Sequence, residues 1–370
     1  MYNPRQLETE YKKVKHGKAR ISAIRQAVCK AEENHDLAYQ IKFLADLCYE
    51  SCFYEDNMDM LVAFPQALAL LDKNPEIPTI PGDTVYKNGL DRMLEVYKWV
   101  ISCCPVFYQI PLDDCLKFFE DFKKRSIGFG YNLKPYYGNL YYFYEDIDEG
   151  YSDECFEKFR RLPKDGNGDC PACDRNQEIR YYLKKGDLKK ADKLAEDIEN
   201  YTLTCRGSND SESWLRMKEE YLQYYLKKRD FEHAAHYVKL IQRKMTSTEK
   251  KEYSYWDTFL YFYTYTDMGK ALKIYKENWK EWQNERCPTD KYNAYKRIAV
   301  FFKELEKQRK RKKIKLHLDS SFPLYSEDGE YEISKLRDFY YDTAKDIALK
   351  FDKRNGSDSC IQDLKKWYES

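Results

Sequence analysis

The sequence predicts an all-α protein, an α-solenoid of stacked helix hairpins with a small β-hairpin inserted near residues 313–333. The main observation behind this prediction is a repeated segment, which reads YYLKKGDLKKA at residues 181–191 and YYLKKRDFEHA at residues 224–234. A fainter copy, YFYTYTDMGKA, covers residues 261–271, so the final alanines of the copies are spaced by 43 and 37 residues. Spacings of this size are typical of helix-hairpin repeats that stack along one axis.

A second observation is the helical periodicity of most of the chain. Apolar residues recur at three- and four-residue spacing in segments 24–31, 37–47, 90–101 and 116–122. Turn-forming residues separate these segments at 34–36, 75–82, 111, 148–150, 165–168 and 206–213. The repeat is expected to extend backwards, because Gly150 and Cys155 have the same spacing as Gly186 and Ala191.

The C-terminal region departs from the helical pattern. Residues 307–315 read KQRKRKKIK, and the apolar residues 314, 316 and 318 then alternate with polar ones, which predicts a short strand. Residues 326–329 form a predicted turn, after which residues 331–333 pair back on the strand and a last long helix covers 333–351. The predicted domains are therefore a helical repeat domain over 1–306, the basic run and β-hairpin over 307–333, and capping helices over 334–370.

Composition excludes some classes of protein. A hydrophobic fraction of 42% with 16% aromatic residues excludes a disordered chain, and a formal net charge of +1 argues against a globally basic nucleic-acid binder. The first fifteen residues lack the apolar core of a signal peptide, and the longest nearly apolar run, 99–107, is too short to span a bilayer. We therefore expect a cytoplasmic protein whose twelve cysteines are reduced.

Cys170 and Cys173 form the strongest chemical motif, because a C-x-x-C spacing brings two thiolates within reach of one Zn²⁺ ion. Cys205 is the predicted third ligand of this structural zinc site. The candidates for a fourth ligand are Asp169, Cys155, His233 and His236. Two alternatives stay open: three reduced thiols that only pack at a helix start, and a redox-active pair, although the βαβ context typical of such pairs is absent.

Three aromatic pairs occupy equivalent positions in the repeats: Tyr181 and Tyr182, Tyr224 and Tyr225, and Tyr261 and Phe262. Neighbouring residues of a helix point about 100° apart, so one ring of each pair is expected to face the core and the other the surface. Exposed tyrosines along a concave face would bind a protein or peptide partner. The alternative is that both rings of each pair belong to the packing between helices.

A basic run, Arg309, Lys310, Arg311, Lys312 and Lys313, is a candidate anion-binding site for phosphate backbone or anionic lipid head groups. The alternative is a solvated helix end, which is the usual role of a charge run. Enzyme motifs are missing, since the chain contains no phosphate-binding loop, dinucleotide fingerprint, nucleophile elbow or kinase motif. Adjacent carboxylates such as Glu219 and Glu220 are too common on helices to indicate a catalytic acid–base pair. We therefore do not expect an enzyme.

Several segments together carry a resemblance to a known group of proteins. They are AFPQALALLDKNPE at 63–76, KWVISCCP at 98–105, GFGYNLKPYY at 128–137, GDCPACDRNQEIRYYLKKGD at 168–187, and IKLHLDSSFPLYSEDGEY and ALKFDKRNG near the C-terminus. In these segments the chain resembles uncharacterised bacterial proteins with tetratricopeptide-type repeats. The resemblance implies an all-helical repeat fold and a cytoplasmic interaction role, and it implies no known reaction.

The function that these observations predict is that of a tetratricopeptide-like scaffold or adaptor, which binds a protein or peptide partner through its concave face. One alternative is a regulatory or defence component that contacts nucleic acid through the basic run. Another is an intracellular peptide sensor, although the sequence shows no DNA-reading helix-turn-helix that would relay such a signal.

Overall fold

A computed structural model describes residues 1–54, 57–75, 89–205, 211–245, 255–308 and 312–369. These residues form seventeen helices and one two-stranded sheet, which confirms the predicted all-α fold with a small β-hairpin. The chain divides into two compact units, Met1–Gly168 and Asp169–Ser370. The domain boundaries predicted from the sequence, after residues 306 and 333, both fall inside the second unit and stay predictions.

In the described part of the first unit, helices pack mainly against their neighbours along the chain. Its helices are α1 (Pro4–Lys13), α2 (Lys18–Glu33), α3 (Leu37–Tyr54), α4 (Met58–Lys73), α5 (Gly89–Ser102), α6 (Leu112–Phe129), α7 (Lys134–Tyr144) and α8 (Glu149–Arg161). The closest packed pairs are α2 with α3, α3 with α4, and α7 with α8, while α5 contacts α3, α4, α6 and α7. The core between them is rich in fully buried aromatic rings, including Phe43, Phe64, Tyr97 and Phe119.

A half-buried carboxylate, Asp46, ties three helices of the first unit together. On α3, Lys42 donates from Nζ to Asp46 Oδ2 at 2.8 Å. Tyr11 on α1 and Arg92 on α5 donate to the same carboxylate. Because a charge removed from water is stable only when it is hydrogen-bonded and paired, this cluster fixes α1 and α5 on α3.

The second unit continues the pattern of helix hairpins. Its described helices are α9 (Pro171–Lys184), α10 (Leu188–Glu199), α11 (Ser211–Lys227), α12 (Phe231–Lys244), α13 (Trp256–Thr266), α14 (Met268–Asn284), α15 (Pro288–Gln308), α16 (Ile333–Asn355) and α17 (Ser359–Glu369). The pairs α9 with α10, α11 with α12 and α13 with α14 form hairpins, and α9 also packs on α11 as α13 does on α15. The helices α16 and α17 pack on α15.

The three sequence copies share one helix-capping arrangement. The aspartate of each copy caps the following helix, and its carboxylate accepts a hydrogen bond of 3.1 Å from the backbone N–H three residues on: Asp187, Asp230 and Asp267. The alanine four residues after each aspartate has 0% of its surface exposed: Ala191, Ala234 and Ala271. In each sequence copy a capping side chain is therefore followed by a small buried residue, which lets two helices approach closely.

The predicted backward extension of the repeat was placed three residues too far along the chain. The capping residue of α8 is Asp148, which accepts from the Tyr151 N–H at 3.0 Å, and the small buried residue four positions on is Ser152. Gly150 lies inside the first turn of α8, whereas Gly186 occupies a left-handed turn position with a φ of 77°. Aligning the two glycines therefore gave the wrong register, because the cap sets the register and not the glycine.

The predicted β-hairpin is present. Strand β1 (Lys313–Lys315) pairs antiparallel with β2 (Glu330–Glu332), and Ile314 lies opposite Tyr331. Both central side chains are buried, as the alternation in the sequence predicted. The turn before β2 ends at Gly329, whose φ is 66° and whose N–H donates to the Ser326 carbonyl at 3.1 Å.

Two expectations about the environment of the chain can be compared with the structure. All twelve cysteines lie among the described residues, and each is a thiol. None of the helices in the described ranges is both long enough and apolar enough to cross a bilayer. The cytoplasmic localisation stays a prediction.

Candidate metal centre and polar binding site

The candidate metal centre begins at the first turn of α9. Cys170 is the N-cap residue of this helix, and Pro171 follows at the first helical position, where its fixed φ and missing N–H cost nothing. The Cys170 sulfur accepts a hydrogen bond from the Cys173 N–H at 3.4 Å. The C-P-A-C sequence thus folds as a helix start, which turns the two thiols towards the same side.

The third thiol, Cys205, arrives from the chain that leaves α10. That chain reverses at Tyr201, whose φ is 56°, and the N–H groups of Thr202 and Leu203 both donate to the Asp197 carbonyl, at 2.9 and 3.0 Å. Arg175 on α9 donates to the Asp197 carboxylate and, at 3.2 Å, to the Leu194 carbonyl. The end of α10 is therefore held against α9.

The three sulfur atoms form a compact cluster. All three Sγ atoms lie within 4.8 Å of one another, and the separation between Cys173 and Cys205 is 3.8 Å. Zn²⁺ binds thiolates at about 2.3 Å in tetrahedral geometry, which sets the edge between two sulfur ligands at about 3.8 Å. The separation between Cys173 and Cys205 therefore fits two ligands of one zinc ion, and all three residues are half-buried.

The lowered pKa of one thiol also favours the binding of a cation by the cluster. The pKa of Cys170 is well below its ordinary value, mainly because its sulfur accepts a hydrogen bond from the Cys173 thiol and further because it accepts one from the Cys173 N–H. The same hydrogen bond raises the pKa of Cys173. The first thiolate of the cluster is thus Cys170, and a bound metal ion would draw the remaining protons off, as thiolate ligation requires.

None of the four candidates for a fourth ligand joins the cluster within the described residues, where only Cys170, Cys173 and Cys205 come together. His233 is exposed, and its Nδ1 lies 2.7 Å from Oδ2 of Asp230, the cap of its own helix. His236 lies edge-to-face against Tyr237 at a centroid distance of 5.2 Å. Asp169 precedes the cluster in sequence and acts on Cys173 through its charge, and Cys155 is a buried core residue of the first unit.

The three aromatic pairs differ in exposure. Tyr182, Tyr261 and Phe262 are buried, while Tyr181, Tyr224 and Tyr225 are half-buried. The Tyr225 ring stacks on Tyr237 and His233 at 5.6 and 5.0 Å. The expected division of one inner and one outer ring thus holds for the first pair, whereas both rings of the third pair serve the packing between helices. A partner-binding role for the half-buried rings stays a prediction.

Of the basic run, only Lys312 and Lys313 fall within the described residues, and Arg309, Lys310 and Arg311 lie outside them. Both described lysines are exposed and face acidic side chains. Lys312 Nζ lies 4.0 Å from a carboxylate oxygen of Glu306, and Lys313 Nζ lies 3.7 Å from one of Glu330. These two charges are thus partly neutralised by the protein itself, and no specific anion-binding geometry is formed by them.

Sequence reasoning missed a polar cluster that joins α11, α13 and α15. Arg297 is 7% exposed, its Nη1 donates to Oδ2 of Asp257, and its Nη2 donates to Oε1 of Gln223 at 2.9 Å. Gln223 in turn donates from Nε2 to Thr258 Oγ1 at 3.0 Å. The Arg297 Nε is buried and has no hydrogen-bond partner. We refer to these residues together with Glu219 as the Arg297 cluster.

Glu219 lies one helical turn before Gln223 on α11 and therefore on the same face. Its pKa is raised to about 8, mainly by loss of solvent and further by the negative charges of Glu220 and Asp257, against the opposing effects of Arg297 and of a hydrogen bond from Gln223. Among the described residues, no cation forms an ion pair with Glu219. The residue as a whole is half-buried, and its carboxyl group is crowded by protein.

The first unit exposes an aromatic patch that the sequence analysis also missed. Tyr49 and Phe53 on α3 are 46% and 50% exposed. Their ring centroids lie 4.6 Å apart, and Trp99 on α5 packs against both, at 5.7 Å and 4.9 Å. Contiguous exposed aromatic surface is typical of sites that contact another protein. The only signal in the sequence was the aromatic pair at i, i+4, which is equally typical of a core.

Comparison with protein-family models, with curated proteins and with solved structures finds no match for this chain. The resemblance to tetratricopeptide-type proteins therefore stays a prediction.

Proposed function

We propose that the protein is a zinc-containing helical scaffold that binds a protein or peptide partner. In this proposal Cys170, Cys173 and Cys205 hold a Zn²⁺ ion, which fixes the beginning of α9 to the chain beyond α10. The helices that follow carry the binding surface. The ion has a structural role, and no reaction is assigned to the protein.

The observation that carries the metal part of the proposal is the cluster of three thiols from two separate segments, with a sulfur separation of 3.8 Å between Cys173 and Cys205. Three thiolates are a donor set for a soft or borderline ion such as Zn²⁺ rather than for Mg²⁺ or Ca²⁺. A water molecule or a further side chain completes the tetrahedron.

The partner-binding part of the proposal is supported by two surfaces. The aromatic patch of Tyr49, Phe53 and Trp99 leaves large rings in contact with water, which favours a protein partner. The half-buried tyrosines 181, 224 and 225 of the second unit offer ring surface together with hydroxyl groups, and such residues gain contact area at a low entropy cost. Repeated helix hairpins serve as binding surfaces in many unrelated proteins.

The experiment that tests this proposal is affinity capture from a lysate of the native host at moderate salt, with and without nuclease. We expect one dominant protein that survives nuclease treatment with the wild type and with Cys29→Ser, a control at an exposed cysteine away from the cluster. Cys173→Ser should retain less of it, because the zinc-free chain is less ordered. Recovery of nucleic acid alone, or of no specific partner, would contradict the proposal.

A further inference from the structure

We propose that a groove between α16 and the loop that joins β1 to β2 binds a basic amphipathic helix of a partner protein. This inference rests on the proposed function, because it assigns a chemistry to the partner of the scaffold. The groove has a volume of about 520 Å³ and opens on the surface of the second unit. Its walls are formed by Leu324 of the loop and by Asp338, Phe339, Asp342, Thr343 and Asp346 of α16.

The first argument is the apolar surface of the groove. Leu324 is 36% exposed on the loop side, and Phe339 is half-buried on the side of α16. The loop is fixed at this place, because the buried ring of Phe322 packs on Phe339 at a centroid distance of 5.5 Å. Leu349 is 49% exposed and lies two turns after Asp342 on the same face of α16. The groove therefore offers apolar surface that a partner side chain can cover.

The second argument is a row of carboxylates along the same face. Asp338, Asp342 and Asp346 follow one another at four-residue spacing and are all exposed. Asp338 pairs with Arg337 at 2.8 Å and Asp346 with Lys350 at 2.6 Å, both within α16. Asp342, in the middle of the row, has no ion-pair partner among the described residues. A cation from a partner would therefore meet an exposed carboxylate that lacks a counter-ion.

The cations close to the row do not neutralise it. The only cation among the described residues that line the groove is Lys335, whose Nζ lies 3.4 Å from a carboxylate oxygen of Glu332. Lys345 is exposed three residues after Asp342 and forms no ion pair with it. Negative charge thus lies beside apolar surface, and the complementary partner carries lysine or arginine next to apolar side chains.

The third argument is the spacing of this surface. The face from Asp338 to Leu349 covers about three turns of α16, or about 16 Å at the rise of a helix. Acidic and apolar side chains recur along it at helical spacing, so a helix with the complementary pattern can lie beside α16. Helices that bind in grooves use anchor residues at i, i+3, i+4 and i+7, which is the spacing available here.

The test uses a fluorescein-labelled, alanine-based peptide of about eighteen residues, which is long enough to form a helix in water. It carries leucines and lysines on one face. Two matched peptides replace either the lysines by glutamine or the leucines by alanine. Fluorescence anisotropy measures the affinity of each peptide for the full-length protein. We expect the lysine–leucine peptide to bind roughly tenfold more tightly than either matched peptide, because each of these lacks one half of the complementarity.

Three protein variants locate the binding site. Asp342→Lys should bind the lysine–leucine peptide roughly tenfold more weakly, and Leu324→Ser about three- to tenfold more weakly. Glu32→Lys makes the same change of net charge at an exposed residue of α2 in the first unit, and it should bind like the wild type. Rising salt should weaken binding to the wild type more steeply than to Asp342→Lys. Melting temperatures show that each variant is folded.

Four results would overturn the inference. They are no binding of the lysine–leucine peptide, equal binding of either matched peptide, equal affinity of Asp342→Lys, and a wild-type dimer that dissociates in Asp342→Lys. Analytical ultracentrifugation detects such a dimer, which would assign the groove to a second copy of the chain.

The captured partner separates this failure from that of the proposed function. If the wild type and Asp342→Lys retain the same partner equally, the scaffold stands and the groove is not its site. If the wild type retains no partner, the proposed function itself fails, whatever the peptides show.

Discussion

At the scale of single residues, Glu219 shows how surroundings rather than residue type set the charge of a side chain. Its pKa of about 8 in the folded protein compares with 4.5 for an ordinary glutamate. Burial beside Asp257 and Glu220 disfavours the carboxylate, and the single guanidinium of Arg297 compensates only in part. Between these two pKa values the folded protein holds a proton that the unfolded chain has released.

The first prediction follows from this linkage. Because the unfolded state binds fewer protons than the folded state over this range, stability falls as the pH rises from 4.5 to about 8. Glu219→Gln keeps the shape and removes the titration. We expect the variant to match the wild type at pH 4 and to be more stable by about 1–3 kcal/mol at pH 8.5, a range reduced for partial solvent screening.

Thermal unfolding at the two pH values measures this difference. Glu232→Gln, at an exposed position of α12, is the control and should leave the wild-type pH profile unchanged. An equal difference between Glu219→Gln and the wild type at both pH values would contradict the prediction, because it would show a change in packing and not in ionisation.

The second prediction concerns the small residue of the repeat. Ala234 has 0% of its surface exposed, while its neighbour Ala235 is exposed on the same helix. Ala234→Leu forces three extra carbons into a packed interface and should destabilise the protein by about 1–3 kcal/mol. Ala235→Leu should change stability by less than about 0.5 kcal/mol. Chemical denaturation compares the two, and equal effects would show that α12 does not pack through Ala234.

At the scale of elements, the turns between paired helices decide the register of the fold. The turns after α9 and α11 each contain one left-handed residue, Gly186 with a φ of 77° and Arg229 with a φ of 58°. The next residue is the capping aspartate, whose N–H bonds a carbonyl of the preceding helix at 2.9 Å in both turns. One left-handed residue followed by one capping residue therefore ends one helix and begins the next.

The third prediction uses this geometry. A Cβ at Gly186 would meet no atom within 4 Å, so Gly186→Ala should destabilise the protein only through its left-handed backbone, by about 1–2 kcal/mol. Gly128, exposed inside α6, is the matched control with equal space around it. Gly128→Ala should stabilise by about 0.5–1 kcal/mol, because alanine is the better helix former. Two shifts of the same sign in chemical denaturation would contradict the account of the turn.

The elements themselves could be predicted from the sequence because their signals are local. Helical periodicity, the Asp and Ala of each repeat, and the alternation around Ile314 all act over a few residues. The register of α8 could not be read in the same way, since both Gly150 and Asp148 are turn-forming residues and only the backbone hydrogen bonds show which one caps the helix. The chosen glycine gave the wrong alignment.

At the scale of the whole molecule, the two candidate sites differ in how much of each could be predicted from the sequence. The pair Cys170 and Cys173 is a local motif, and the addition of Cys205 required only that the chain return after one hairpin. The Arg297 cluster joins Arg297 to Gln223 and Asp257, which lie far apart along the chain on three different helices. No periodicity or motif links these positions, so packing alone brings them together.

The most direct test of the central claim is the zinc content of the purified full-length protein, measured by inductively coupled plasma mass spectrometry after expression with added zinc. We predict about one zinc ion per chain for the wild type and for Cys29→Ser, and a nearly metal-free Cys173→Ser. Chelation of the wild-type zinc should lower its melting temperature by roughly 5–15 °C, since a ligand bound only by the folded state stabilises that state. A wild-type protein without bound zinc, and with the same melting temperature before and after zinc addition, would contradict the claim.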